Sequence, residues 1–110
     1  MLYELKTYTP HAGKEDALRQ RFLQKTLPLF AKHGIHVCAV MAPAEAPHTL
    51  CYLTQFDSEA AKAAAWAGFM ADPEWAQVKQ RTEADGPLLA SQHTAVFRGL
   101  DGPPASPAQG

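Results

Sequence analysis

The amino-acid sequence predicts a single α+β domain whose elements follow the order strand, helix, strand, strand, helix, strand. Two observations carry this prediction. Four segments are rich in apolar or β-favouring residues, and in the first and third of them the two faces alternate with period two, which is typical of strands. Between the first and second segments, and between the third and fourth, the pattern becomes helical. This βαββαβ order is the ferredoxin-like arrangement, in which helices cover one face of an antiparallel sheet.

The first predicted strand spans residues 2–9 and a long helix follows it. The helix is predicted over residues 14–33, where Pro28 should kink it or start a new turn because proline lacks an amide donor. Gly34 follows at the position where a helix end favours a positive φ. The two faces of the strand carry Tyr3, Leu5 and Thr7 on one side and Glu4, Lys6 and Tyr8 on the other.

Two short apolar segments then predict an antiparallel hairpin. The second strand covers residues 35–42, the third covers residues 48–56, and residues 43–47 form the turn. Because Tyr8 and the apolar side chains on one face of the third strand are costly to leave in water, we expect that face to meet a partner sheet. The third-strand residues concerned are Leu50, Tyr52 and Phe56.

Capping residues mark the helices in the second half of the chain. Ser58 is a suitable N-cap for a helix over residues 59–71. Asp72, followed by proline and glutamate, marks the start of another helix that should run to about Ala84. Residues 88–98 form the last predicted strand.

Residues 1–100 are therefore the predicted domain, and residues 101–110, rich in Gly, Pro and Ala, are predicted to be a disordered tail. The net charge of −1 and the scattered basic residues argue against binding to nucleic acid. The sequence has no apolar stretch of the ~20 residues that span a bilayer and no apolar signal-peptide core, so we expect no membrane insertion and a cytoplasmic location. Cys38 and Cys51 are interpreted as small core residues.

The main candidate site is the polar face of the first strand, which this topology places at the centre of the sheet. Buried charges persist only when they are paired or functional. In the functional interpretation, Lys6 donates to an anion, Glu4 is its partner or a base, and Tyr8 is a hydrogen-bonding wall. The alternative is a structural Glu4–Lys6 pair. The same interior is expected to include Tyr52, Thr54 and His93.

Motifs for metal, nucleotide or nucleophilic chemistry are absent from the sequence. It contains no His-Glu-x-x-His, Gly-x-Ser-x-Gly, phosphate loop or Rossmann fingerprint. We therefore predict no cofactor and no metal site, and assign no catalytic residue. Trp66 and Trp75 are interpreted as core or interface anchors, and for Trp66 the alternative is a position at the mouth of a cavity.

Five short segments together resemble the NIPSNAP family of the dimeric α+β barrel superfamily. They are YELKTY (3–8), LFAKHGI (29–35), FDS (56–58), DPEW (72–75) and LLASQ (88–92). The resemblance implies a homodimer whose two sheets face each other across a barrel with a small-molecule-sized interior.

The resemblance leaves several classes of function open. We favour a homodimer that binds a small organic ligand, anionic or aromatic, in its interior. The superfamily also includes cofactor-independent monooxygenases, for which Lys6, Tyr8 and Tyr52 would orient a phenolate-like substrate. A non-enzymatic interaction protein is a further alternative. For a haem-degrading relative, no axial histidine can be named.

Overall fold

The computed structural model describes residues 1–100. Its strands are β1 (Leu2–Pro10), β2 (His36–Met41), β3 (Leu50–Phe56) and β4 (Leu89–Arg98). Its helices are α1 (Glu15–Arg21), α2 (Leu27–Lys32), α3 (Glu59–Met70) and α4 (Pro73–Thr82), and a π-helical segment (Phe22–Thr26) joins α1 to α2. The predicted α+β class and βαββαβ order are confirmed. The predicted tail, residues 101–110, lies outside the described residues. Within residues 1–100, no helix has the length and apolar character needed to cross a membrane.

The four strands form one antiparallel sheet with the order β2-β3-β1-β4. β1 lies inside the sheet, as predicted, with β3 on one side and β4 on the other. Lys6 is opposite Tyr52 on β3 and opposite Thr94 on β4. Successive residues of a strand point to opposite faces of the sheet. The polar side chains of β1 therefore point either towards the helices or towards the other side of the sheet.

The helices cover the side of the sheet that carries Tyr52 and Thr54, which have no exposed surface. Phe22 and Phe30 pack against the Tyr52 ring, with centroids 4.7 and 5.6 Å away. The expectation that this face meets a partner sheet is therefore wrong, because helical side chains already fill it. The core on this side consists of Leu18, Phe22, Leu29, Phe30, Ile35, Leu50, Tyr52, Phe56, Ala65, Phe69, Val78 and Leu88.

The opposite side of the sheet, which we call the open face, carries no helix of the described chain. Leu5 on β1 lies between Leu53 on β3 and Ala95 on β4, and all three are only half-buried. Cys51 also belongs to this face, opposite Thr7. Since Cys51 is half-buried and Cys38 on the edge strand is exposed, the interpretation of both as core residues is wrong.

A π-helical turn replaces part of the predicted long helix. The Leu27 amide donates to the Phe22 carbonyl, a bond that spans five residues instead of four. Pro28 then occupies the first turn of α2, where its missing amide donor is tolerated. The widened turn brings Phe22 and Phe30 together, with ring centroids 5.9 Å apart. Pro28 thus starts a new turn, which is one of the two outcomes predicted for it.

The predicted helix caps are present. The Ser58 hydroxyl accepts a hydrogen bond from the Ala61 amide at 3.0 Å, at the start of α3. The Asp72 carboxylate accepts from the Glu74 amide at 2.8 Å, at the start of α4. Gly34, just beyond α2, adopts the expected positive φ of 75°.

Candidate functional site

Five of the six predicted site residues lie on the helix-covered side of the sheet. Glu4, Lys6 and Tyr8 follow one another on β1, and Tyr52 and Thr54 lie beside them on β3. His93 is the exception. It is opposite Thr7, so it belongs to the open face and is separated from the others by the sheet itself. The expectation that His93 lines the same interior is wrong, because the alternation of β4 places it on the opposite side.

Glu4 is buried and its carboxylate is held by α3. Trp66 donates its indole N–H to Glu4 Oε1 at 2.6 Å. The Lys62 ammonium lies 3.8 Å from Glu4 Oε2 and 3.2 Å from the carboxylate of Glu59. Because these groups satisfy it, Glu4 is a structural carboxylate that fixes α3 on β1, and it is not positioned as a free base.

Lys6 is half-buried next to the same indole. Its Nζ lies 4.8 Å from the centroid of the Trp66 ring and donates to Thr94 Oγ1 at 3.1 Å. Within residues 1–100, no carboxylate oxygen lies within salt-bridge distance of this ammonium. Burial lowers the pKa of Lys6 below its ordinary value of 10.5, and the positive charge of Lys62 adds to the decrease, whereas Glu4 opposes it. The predicted structural Glu4–Lys6 pair is therefore not formed.

Tyr8 and Tyr52 bind each other. Their hydroxyl oxygens are 2.5 Å apart and their rings meet edge to face, with centroids at 5.3 Å. Burial raises the pKa of both phenols, so both are neutral at physiological pH. Thr54 likewise bonds within the fold, since its hydroxyl donates to the Glu4 carbonyl at 3.2 Å. Tyr52 and Thr54 form the floor beneath the site, and neither offers a free polar group.

The site opens over β4. Every second residue of β4 points to the helix-covered side of the sheet, yet all of these side chains are exposed. The Lys6 ammonium and the Thr94 hydroxyl are consequently close to solvent at one edge of the helix layer. The β4 residues on this side are Gln92, Thr94, Val96 and Arg98.

A cavity of the described chain lies elsewhere. It has a volume of about 640 Å³ and lies between α2 and the edge strand β2, with Leu27, Ile35 and Val40 among its lining residues. None of the six predicted site residues lines it. Across residues 1–100, no group of three or more His, Cys, Asp or Glu side chains is arranged to hold a metal ion.

Two residues of the site, Lys62 and Thr94, were not singled out from the sequence, and a place for Trp66 at a cavity mouth was considered only as the alternative to a core or interface anchor. Lys62 and Trp66 are four residues apart on a helix, so they share a face, and this spacing was the available signal. Thr94 had no comparable signal, because its role depends on the pairing of β4 with β1.

Comparison with solved structures supports the fold. An uncharacterized NIPSNAP domain protein from Burkholderia xenovorans superposes with a TM-score of 0.80 at 19% identity, covering 96% of this chain and 100% of that one. A NIPSNAP family protein from Agrobacterium tumefaciens gives a TM-score of 0.78 at 14% identity, with 91% and 93% coverage. A putative antibiotic biosynthesis monooxygenase from Nitrosomonas europaea gives 0.65 at 14% identity, with 91% and 99% coverage. At these identities, the likeness is one of fold alone.

Comparison with curated proteins gives no match. The family model for NIPSNAP, in contrast, matches residues 3–100, which is nearly the whole described chain. Its span agrees with the five sequence segments and with the solved structures of the same fold. The chain therefore belongs to the NIPSNAP family.

Proposed function

We propose that this protein binds a small organic anion at the site formed by Lys6, Thr94 and Trp66, and that it does so as a homodimer. The observation that carries the proposal is the state of Lys6. Its ammonium is half-buried, is oriented by a hydroxyl and an indole ring, and lies beyond salt-bridge distance of every carboxylate in residues 1–100. An ammonium group oriented in this way can donate a charge-assisted hydrogen bond to a carboxylate, sulfonate or phenolate ligand.

The expected energetics favour an anion over a neutral ligand. A hydrogen bond to a charged group contributes roughly 1.5–3 kcal/mol. Removing the positive charge should therefore weaken anion binding by about tenfold or more. Glu4 does not oppose an anion strongly, because Lys62 and the Trp66 indole already neutralise or bind its carboxylate.

The proposed dimer forms through the open face. Leu5, Leu53 and Ala95 form an apolar strip across the middle of this face, and Phe97 is half exposed at its β4 side. Covering such a strip with the equivalent strip of a second copy would remove it from water without disturbing the helix-covered side. A cytoplasmic location is part of the same proposal, supported by the free thiols of Cys38 and Cys51.

A second candidate function is oxidation of a phenolate-like substrate, in the manner of the cofactor-independent monooxygenases whose fold this chain resembles. The specific observation in its favour is that the cation of Lys6 lies at an opening where a phenolate would be stabilised. Tyr8 and Tyr52 do not serve as bases here, because both phenols are neutral and their hydroxyl groups are hydrogen-bonded to each other. Oxygen consumption in the presence of electron-rich phenols tests this activity.

Benzoate and its neutral analogue benzamide test the binding proposal. Trp66 lies against Lys6, so its fluorescence reports on the site, and calorimetry provides a second readout. We expect wild type to bind benzoate in preference to benzamide, and Lys6→Met to lose this preference. Lys25→Met is the matched control, because Lys25 is exposed on the π-helical segment. Equal binding of benzoate by wild type and Lys6→Met would contradict the proposal.

A further inference from the structure

β4 contributes more to the site than the Thr94 hydroxyl. On the helix-covered side of the sheet, Thr94 lies between two other β4 side chains. Val96, on one side of it, is apolar, and Gln92, on the other side, is polar. Val96 is 54% exposed, although its partner across the strand pair, Glu4, is only 6% exposed. Gln92, on the other side of Thr94, is opposite Tyr8. A single exposed apolar side chain is ordinary on a protein surface. What distinguishes Val96 is its position, two residues along β4 from the Thr94 hydroxyl that accepts from Lys6.

The spacing along β4 limits the size of a ligand that contacts both residues. Residues two apart on a strand are separated by about 6.8 Å. An anionic group bound by Lys6 and Thr94 would thus place a body about one aromatic ring long over Val96. Towards Gln92 the same body would meet an amide and the Tyr8 end of the site, which is the less favourable direction for an apolar group.

We infer that Val96 is the apolar specificity contact of the site, and that the ligand is an aromatic anion about one ring in length lying along β4 from Thr94 to Val96. This inference rests on the proposed function, because it requires the anion to bind at Lys6. It adds the ligand class and a residue that selects it. Val96 is a binding residue here, and no chemical step is assigned to it.

The test compares benzoate with acetate, which has the carboxylate but no ring. We expect wild type to prefer benzoate. Val96→Thr keeps the branched shape and strand preference of the side chain but exchanges a methyl group for a hydroxyl, so it should weaken benzoate binding by about fourfold and leave acetate binding unchanged. Gln92→Thr, the matched control on the same side of β4, should preserve the preference for benzoate.

The outcomes separate this inference from the proposed function. If benzoate binding depends on Lys6 but the benzoate-to-acetate ratio is the same in wild type and Val96→Thr, the role of Val96 is wrong and the anion site stands. If neither anion binds wild type, both ideas fail. If Val96→Thr changes the mass measured by light scattering, Val96 is an interface residue and the inference is overturned. Val96→Leu, which enlarges the apolar contact, should strengthen benzoate binding, and weaker binding would count against it.

Discussion

Trp66 donates its indole N–H to Glu4 at 2.6 Å, and this bond joins α3 to a strand inside the sheet. The same ring lies under the Lys6 ammonium. The indole N–H at the edge of the Trp66 ring thus donates a hydrogen bond to the buried Glu4 carboxylate, and the face of the same ring contacts the Lys6 ammonium. This geometry explains why the Glu4 carboxylate and the Lys6 ammonium do not pair with each other, although they are neighbours on one side of β1. Both groups contact Trp66 instead.

Trp66→Phe should lower the free energy of unfolding by about 1–3 kcal/mol, because the buried Glu4 carboxylate would lose its donor. Urea denaturation of wild type and variant measures the loss. In a Glu4→Gln background, the same substitution should lower the free energy of unfolding by less. A buried amide without a partner destabilises the fold less than a buried carboxylate without one. Equal losses in the two backgrounds would show that the Trp66–Glu4 bond does not stabilise the fold.

Lys6→Met should leave the protein at least as stable as wild type at pH 7. The folded-state pKa of Lys6 lies below its ordinary value of 10.5, so the folded state disfavours the protonated form. The stability of wild type should therefore rise relative to Lys6→Met as the pH increases through that lowered pKa towards 10.5. Thermal melts of both proteins between pH 7 and pH 10.5 check this. A variant that is less stable at pH 7 would show that the ammonium supports the fold.

Asp72→Asn should change how stability responds to acid. Hydrogen bonds from Lys32, then from His33 and the Glu74 amide, hold the pKa of Asp72 well below its usual value of 3.8. This carboxylate therefore contributes stability above about pH 3.8, and the contribution is lost as the pH falls through and below that value. We expect a lower melting temperature for Asp72→Asn at pH 7 and a smaller difference from wild type at pH 3. Asp57→Asn, at an exposed position, is the control, and the same pH response in both variants would contradict the assignment.

Leu53→Asp should convert the proposed dimer to a monomer with an intact fold. Leu53 lies in the middle of the open face, where a partner would leave the new charge unpaired and out of water. Light scattering measures the mass, and circular dichroism verifies the fold. Leu23→Asp is the control, because Leu23 is exposed on the helix layer. A wild-type protein that is monomeric at micromolar concentration would contradict the dimer itself. Tyr52→Asp, in contrast, should prevent folding, since Tyr52 is fully buried.

The strands and their order were predictable from the sequence because alternation and turn residues are local properties. β1 was predicted over residues 2–9 and spans Leu2–Pro10, and β4 was predicted over residues 88–98 and spans Leu89–Arg98. Which face the helices cover was predicted wrongly. Alternation shows which residues share a face, but both faces of β3 carry apolar side chains, so composition alone did not choose between them.

The same limit applies to the candidate site. Glu4, Lys6 and Tyr8 are two apart on one strand, so their common face follows from the sequence. Their partners do not, because Trp66 and Thr94 reach Lys6 only through the packing of α3 and the register of β4. The misplacement of His93 has the same origin, since a shift of one residue in register moves a side chain to the opposite face.

The π-helical turn between α1 and α2 has a consequence for how this chain tolerates a change in its length. Side chains eight residues apart, as Phe22 and Phe30 are, would point about 80° apart on a regular α-helix, whereas side chains seven apart differ by about 20°. The widened turn absorbs the extra residue and lets both rings meet the Tyr52 ring. Loss of one residue here, such as Gln24, would restore a regular helix and keep the two rings aligned. A one-residue deletion at this turn should therefore leave the packing of the two rings against Tyr52 intact.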